Sequence, residues 1–303
     1  MAIPTSRTKV AGTVTIDPEL CTGCGICTDV CADSILELKD GKAYPGSDGV
    51  FGCIACGHCM AVCPEDAIRV TGRCLSYDDL FPIPPRENSA SFDSLVNLLQ
   101  RKRSIRSFKD RPVEKEVLEK ILGAARTAPM GLPPSDVGVK VFDSKEKSRA
   151  FAEDFARYLE KMKWFVSPWF RLLMRPVWGK ETDELFGGFM KPLFESYTSE
   201  MKKGENIINY DAPVLLYFYG SPYSDPADPI IAATYAMIAA ESLGLGTCML
   251  GAVHPFIQSG SAARKFREKH GIRCKSREGL FLAIGYPAIR FRKGIHRTFA
   301  LQS

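Results

Sequence analysis

Cys21-Thr22-Gly23-Cys24-Gly25-Ile26-Cys27-Thr28-Asp29-Val30-Cys31 decides how this chain is read, because its spacing returns at Cys53, Cys56, Cys59 and Cys63. Each run is Cys-x2-Cys-x2-Cys-x3-Cys, and Pro64 follows the second. Two-residue gaps let three thiolates of one tight loop reach three corners of an iron–sulfur cube, while the fourth corner needs a ligand from another direction. Gly23, Gly25, Ala55 and Gly57 are small, so backbone N–H groups can approach the cluster sulfurs. A pair of zinc sites competes with this, but tetrahedral zinc leaves the third evenly spaced cysteine of each run unexplained. His58 falls inside the second run and reads as a surface or supporting residue rather than a ligand.

The spacing resembles that of the bacterial two-cluster ferredoxins. In those proteins the fourth cysteine of each run crosses to the other cluster. The resemblance therefore implies one [4Fe-4S] cluster on Cys21, Cys24, Cys27 and Cys63, and a second on Cys53, Cys56, Cys59 and Cys31. Ala32 departs from the proline common after the fourth cysteine; Pro64 keeps it. Nine of the eleven cysteines lie between Cys21 and Cys74. Cys74, Cys248 and Cys274 read as ordinary thiols.

Outward from this stretch, 303 residues suit one small and one medium domain. Met1 to Ile16 has no apolar core of a secretory leader, and no apolar run reaches the roughly 18 residues that span a bilayer, so a cytoplasmic location is expected. That address disfavours disulfides. Residues 1–80 hold 6 Lys and Arg against 11 Asp and Glu, whereas the remainder holds 34 against 24. An acidic head on a basic body suits internal docking or an anionic cofactor. The basic residues are scattered and carry no helix-turn-helix or RNA-binding signature, which argues against nucleic acid.

The expected division is a head at 1–75, a proline-rich linker at 76–91 around Phe81-Pro82-Ile83-Pro84-Pro85, and a body at 92–303. Helical spacing is predicted from Ser91 and again over Val117 to Ala125. Val137 to Phe142, Ala212 to Tyr219 and Gly279 to Tyr286 read as strands. Pro229 to Leu243 reads as a buried helix stopped by Gly244 and Gly246. Helices and strands mix without a regular βαβ repeat, so the class is α+β, a ferredoxin-like head before an α+β body.

Arg101-Lys102-Arg103-Ser104-Ile105-Arg106-Ser107-Phe108 places four cations and a hydroxyl within six residues, an anion cradle or a solvated basic loop. With Ile121 to Pro129 and Gly244-Leu245-Gly246-Thr247, this run resembles the nitroreductase family over roughly residues 92–300. The resemblance implies an FMN-binding α+β fold, an obligate homodimer, and flavins at the subunit interface. It assigns Lys102, Arg103, Ser104 and Arg106 to the FMN phosphate and ribityl chain, with Arg297 closing on the phosphate and Arg292 and His296 as weaker candidates. Met130, Gly131 and Ser135 fall where the family contacts the isoalloxazine ring, although its usual amides are absent here. Leu250 and Gly251 would offer backbone contacts near the ring. With the head included, the chain resembles ferredoxin–nitroreductase fusions of anaerobic microbes.

Residues 144–210 form an aromatic-rich insertion. Phe151, Phe155, Tyr158, Leu159 and Met162 share one helical stripe, Trp164, Trp169 and Trp178 cluster, and Lys161 to Lys180 holds five cations and no acid. Ser167-Pro168 and Arg175-Pro176 are expected to break the chain. Packing on the body or dimer partner, a lid over the flavin, and a basic–aromatic face on a membrane through 161–180 all remain open.

The expected chemistry is an electron relay. An external one-electron donor, reduced ferredoxin, loads two clusters, which pass electrons singly to FMN; the flavin, which NAD(P)H could also reduce directly, then reduces a small conjugated acceptor such as a nitroaromatic, quinone or activated alkene. A non-enzymatic carrier or redox sensor, and an NAD(P)H-driven reductase with clusters as an electron store, stand as alternatives. No proton-donor dyad is evident, so no catalytic residue is assigned. No Walker-type loop or Rossmann fingerprint accompanies the cysteines.

Overall fold

The computed structural model describes residues 2–46 and 49–301; Met1, Ser47, Asp48, Gln302 and Ser303 lie outside the described residues. The leader expectation is therefore followed only from residue 2, and the body's end only to residue 301.

The head is assembled from short local pieces. β1 (Thr13–Ile16) pairs antiparallel with β4 (Ile68–Thr71), Thr13 opposite Thr71. β2 (Leu36–Lys39) and β3 (Lys42–Pro45) form a hairpin whose two central residues, Asp40 and Gly41, both have positive φ, the geometry an Asp-Gly turn favours. One-turn helices α1 (Ile26–Asp29) and α2 (His58–Ala61) sit inside the two cysteine runs, each entered through a left-handed glycine, Gly25 and Gly57. Tyr77 and Leu80 still pack on the core of the head, and from Phe81 the chain is exposed, with Phe81 and Ile83 largely in solvent between two single 3-10 turns at Tyr77–Asp79 and Arg86–Asn88.

The body is organised by one antiparallel sheet of order β5-β6-β8-β7, made of β5 (Val137–Phe142), β6 (Val214–Gly220), β7 (Gly246–Leu250) and β8 (Gly279–Gly285). β6 and β8 are buried along their whole length, as the uninterrupted apolar run of β6 requires. Their alternating side chains separate two cores. Leu215, Tyr217, Tyr219 and Phe281 pack with α5 (Lys145–Met162), α7 (Lys191–Lys202) and α9 (Ser261–Lys269). Val214, Leu216, Phe218 and Leu282 pack with α4 (Lys115–Arg126) and α8 (Asp228–Ser242). Helices thus cover both faces.

α3 (Phe92–Arg101) starts where expected, capped by the Ser91 hydroxyl accepting the Ser94 amide at 3.2 Å. It buries none of its residues; Phe92, Leu95 and Leu99 face outward. α8 ends at a left-handed Gly244, but Gly246 does not stop the helix: it opens β7, where a Cβ would meet Ile105 at 2.5 Å.

The insertion divides by burial. Phe151, Phe155, Tyr158 and Leu159 go into the core as their stripe predicts. The Ser167-Pro168 break is real, with Pro168 opening α6 (Pro168–Leu185). The second expected break is not at Arg175-Pro176. Pro176 lies within α6, and the chain turns instead at Gly179 (φ 81°, ψ 173°), a conformation closed to residues with a Cβ. Trp178 stacks on Phe186 at 4.6 Å, and Trp169, Leu172, Leu173 and Val177 remain exposed.

Candidate functional site

The cysteines gather in two groups that cross the runs. Cys21, Cys24, Cys27 and Cys63 line one small cavity with Gly23, Gly25 and Ala43. Burial pushes the Cys27 thiol up, and the neighbouring sulfurs of Cys21, Cys24 and Cys63 push the same way. Around the second group, burial pushes Cys59 up to about 12, with Cys53, Cys56 and Cys31 adding to it. Cys53 is raised chiefly by burial too, with Cys56 and Cys31 adding and Arg73 opposing. A cation placed among such sulfurs would favour their thiolate form. Among the described residues, no three such side chains converge closely enough to enclose one bare metal ion; a cube with iron at its corners accepts a wider ligand set.

Backbone geometry in these loops suits such a cube. Gly23, Gly25, Ala55 and Gly57 all have positive φ. The amides of Ala43, Ala55 and Ala67 point at the sulfurs of Cys21, Cys53 and Cys63 at 3.3–3.4 Å. Gly23 approaches Gly41 so closely that a Cβ would stand 2.0 Å from its carbonyl oxygen. The donor set, the cavity and the amides fit two iron–sulfur clusters. His58 is exposed at the start of α2.

The basic run is laid along β7. Ser104 bridges Thr247 in parallel register, and the Ile105 amide donates to the Thr247 carbonyl at 3.0 Å. Lys102 is half-buried, its Nζ donating to the carbonyls of Arg103 at 2.7 Å and Thr247 at 3.2 Å; desolvation lowers its pKa. Arg103 joins Lys109, Arg292, Lys293 and His296 around a cleft of about 1520 Å³ whose one acid is Glu241. Thr247 Oγ1 is buried without a partner. These features fit a phosphate-bearing anion. The cleft exceeds the roughly 300–1,000 Å³ of ordinary ligand pockets. Arg106 turns elsewhere, 5.9 Å over the Tyr210 ring and beside Cys248. Arg297 is exposed, with no hydrogen bond or ion pair among the described residues.

The ring-contact candidates do not gather in one place: Met130, Gly131 and Ser135 precede β5 at one edge of the sheet, and Leu250 and Gly251 lie at the end of β7, the other edge. The Gly131 amide donates to Asp228 in the first turn of α8 at 3.0 Å. Burial raises the Asp228 carboxyl. Met130 is exposed, and Ser135 adjoins Asp136, which is buried. Leu250 is buried at the end of β7 and Gly251 is exposed. No hydrogen bond among the described residues joins Met130, Gly131 and Ser135 to Lys102, Arg103 and Ser104.

The head meets the body at the 133–136 loop. Ser6 donates from its amide to Asp136 Oδ2 and from its hydroxyl to Asp136 Oδ1, both at 2.7 Å. Arg7 reaches the Ser135 carbonyl at 3.4 Å, and Arg73 the Pro133 carbonyl at 2.7 Å. Ser6, Arg7, Arg73 and Asp136 escape a reading of the sequence, since none sits in a motif; Arg73 is signalled only as a cation in an acidic head.

A metal-thiolate head docked on a two-faced sheet with an anion cleft defines a redox protein of two parts, and the comparisons agree. The nitroreductase family profile matches residues 99–286, and a 4Fe-4S dicluster domain profile matches residues 13–64. The chain belongs to the nitroreductase family, with an N-terminal 4Fe-4S dicluster domain fused to it. Ferredoxin-1 of Nitratidesulfovibrio vulgaris is 58% identical over 33 residues, which cover 11% of this chain and 53% of that protein. The chain thus spans about half of that relative. Ferredoxin-3 of Rhodobacter capsulatus is 33% identical over 73 residues, covering 17% of this chain and 72% of its own length. A nitroreductase with bound FMN from Bacteroides fragilis shares the fold at a TM-score of 0.53 and 17% identity, over 69% of this chain and 97% of that one.

Proposed function

We propose that this protein is an FMN-dependent oxidoreductase in which two [4Fe-4S] clusters in the head, residues 1–75, feed electrons across the linker at 76–91 to a flavin held by the body, residues 92–303. The observation that carries this is the docking of the head, through Ser6, Arg7 and Arg73, on the 133–136 loop, beside the positions assigned to the flavin ring.

FMN supplies the conversion between the single electrons of the clusters and the two-electron reduction of a substrate. The residues of the chain do the holding. Lys102, Arg103 and Ser104, with Arg292, His296 and Arg297 from the tail, take the phosphate, while Gly131, Ser135 and the backbone at Leu250 and Gly251 flank the ring. Arg106 and Met130 complete the set. The acceptor is a small conjugated molecule of the nitroaromatic, quinone or activated-alkene class, and the donor is reduced ferredoxin or NAD(P)H.

The same surfaces support a homodimer. No hydrogen bond among the described residues joins the phosphate residues to Met130, Gly131 and Ser135, α3 presents Phe92, Leu95 and Leu99 to solvent, and the tail exposes Phe291, Ile295, Phe299 and Leu301. A second copy would cover these faces and bring the two half-sites together.

Anaerobic purification followed by iron, sulfide and flavin analysis tests the proposal. About eight irons per chain and one FMN, with flavin bleaching when a one-electron donor is added and returning with an acceptor, is the expected result. Zinc in place of iron, or a flavin that no acceptor reoxidises, overturns it.

A further inference from the structure

Arg73 helps to dock the head, and its burial as a charge gives it a further part. It is 5% exposed, yet no carboxylate pairs with it among the described residues. Its guanidinium spends every hydrogen bond on carbonyls: Nε on Ile54 at 3.1 Å, Nη1 on Ile3 at 2.9 Å and Val10 at 3.1 Å, and Nη2 on Pro133 at 2.7 Å. A buried cation without a counter-charge is unfavourable unless an anion lies close by. Its backbone is also strained. Gly72, Arg73 and Cys74 all have positive φ (88°, 50° and 62°), and two of them carry a Cβ.

The four carbonyls show where the charge is needed. Ile54 follows Cys53 in the second cysteine run, and Cys53 is bridged through its carbonyl to the Gly12 amide at 2.7 Å. Pro133 lies in the body. Arg73 therefore spans from the Cys53 loop to the flavin-site loop in a single side chain. The cavity of Cys21, Cys24, Cys27 and Cys63 is lined by head residues alone.

We propose that Arg73 makes the site of Cys53, Cys56, Cys59 and Cys31 the one that delivers electrons to the body. It does so by pinning that site against the 133–136 loop and by leaving an uncompensated positive charge beside it. An adjacent cation favours the reduced, more negative cluster and raises its reduction potential. The Cys21 site is then the entry, and electrons run downhill from it to the Cys53 site. Each transfer oxidises the first site by one electron and reduces the second by one. Two such electrons, drawn from a low-potential one-electron donor, and protons from solvent complete the reduction of one flavin.

The inference rests on the relay reading, and its test separates the two. Full-length protein holding both clusters is titrated potentiometrically by electron paramagnetic resonance, with Cys24→Ser and Cys56→Ser marking which signal belongs to which site. Arg73→Gln is expected to lower the midpoint of the Cys56-marked signal only, and to slow flavin reduction after flash photoreduction by tenfold or more. Arg73→Lys should restore the midpoint while leaving transfer slow, because the charge returns without the four-way fork. Ser6→Ala should slow transfer with both midpoints in place. A shift in the Cys24-marked signal, or no shift in either, overturns the inference. Should Arg73→Gln fail to fold, Arg73→Lys and Ser6→Ala decide it: unchanged transfer in both is the contrary result. A preparation with clusters but no flavin sinks the relay while the midpoint shift is still read.

Discussion

Asp136 receives both the amide and the hydroxyl of Ser6 on its two oxygens at 2.7 Å, and the Ser221 hydroxyl joins them at 2.8 Å. One buried carboxylate therefore ties the first residues of the head to the end of β6. Asp136→Ala removes the acceptor for three donors and should destabilise the docked state by about 3 kcal/mol, given the worth of hydrogen bonds to a charged group. Limited proteolysis should then cut the exposed linker at 76–91 sooner. Asp136→Asn, which keeps shape and one acceptor oxygen, should be cut at an intermediate rate.

The crossing of the fourth cysteines is tested by pairing substitutions. Cys63→Ala with Cys24→Ala damages one site, and about four irons should remain of about eight. Cys63→Ala with Cys56→Ala damages both, and iron should fall well below that. Equal iron loss in the two double variants would rule out the crossed arrangement.

Lys102 is the half-buried member of the basic run, and Lys102→Met keeps its volume while removing its charge. The flavin dissociation constant should rise about 10- to 100-fold, equivalent to one charge-assisted contact. Arg103→Ala should act similarly, because Arg103 lines the cleft. Fluorescence titration of the flavin-stripped protein measures both.

Leu99→Glu places a charge on the outward apolar face of α3, where Leu99 is 46% exposed. Sedimentation should show a smaller species with reduced flavin content. An unchanged mass and unchanged flavin would locate the dimer contact elsewhere.

His270 gives a pH signature. Burial lowers its pKa to about 4, and its Nε2, 3.3 Å from Asp154, makes no hydrogen bond. The unfolded imidazole, near 6.5, takes its proton first, so stability is full above that pH and declines as pH falls toward 4. The loss amounts to about 3 kcal/mol across the window. Asp154 acts lower still: burial works against it, but Lys269 and Arg157 hold it below the usual carboxylate range. Thermal melts of wild type and His270→Gln between pH 4 and 7 should converge at the acid end.

The regular parts of this fold were legible because period and punctuation agree with burial. Val137–Phe142 appears as the strand its alternation predicts, and β6 is buried throughout as its apolar run requires. The two cysteine runs were legible from spacing, whereas their crossed grouping came only with the resemblance to two-cluster ferredoxins. Pro176 misled because a proline disturbs the turn before it without having to end a helix; Gly179 carries the actual turn. The docking residues were hidden for a different reason. Ser6 and Asp136 are 130 positions apart, and Arg73 bonds only carbonyls, which every residue owns.

The pairing distances along the chain also set an order of events in synthesis. β1 meets β4 once residue 71 has emerged, so the cysteine-bearing head can close early. The central pair of the body joins Val214 to Ile284, and its sheet stays open until residue 284 has left the ribosome. The head can thus close before the body does. A cell short of iron would make chains whose second half matures against an unfinished first.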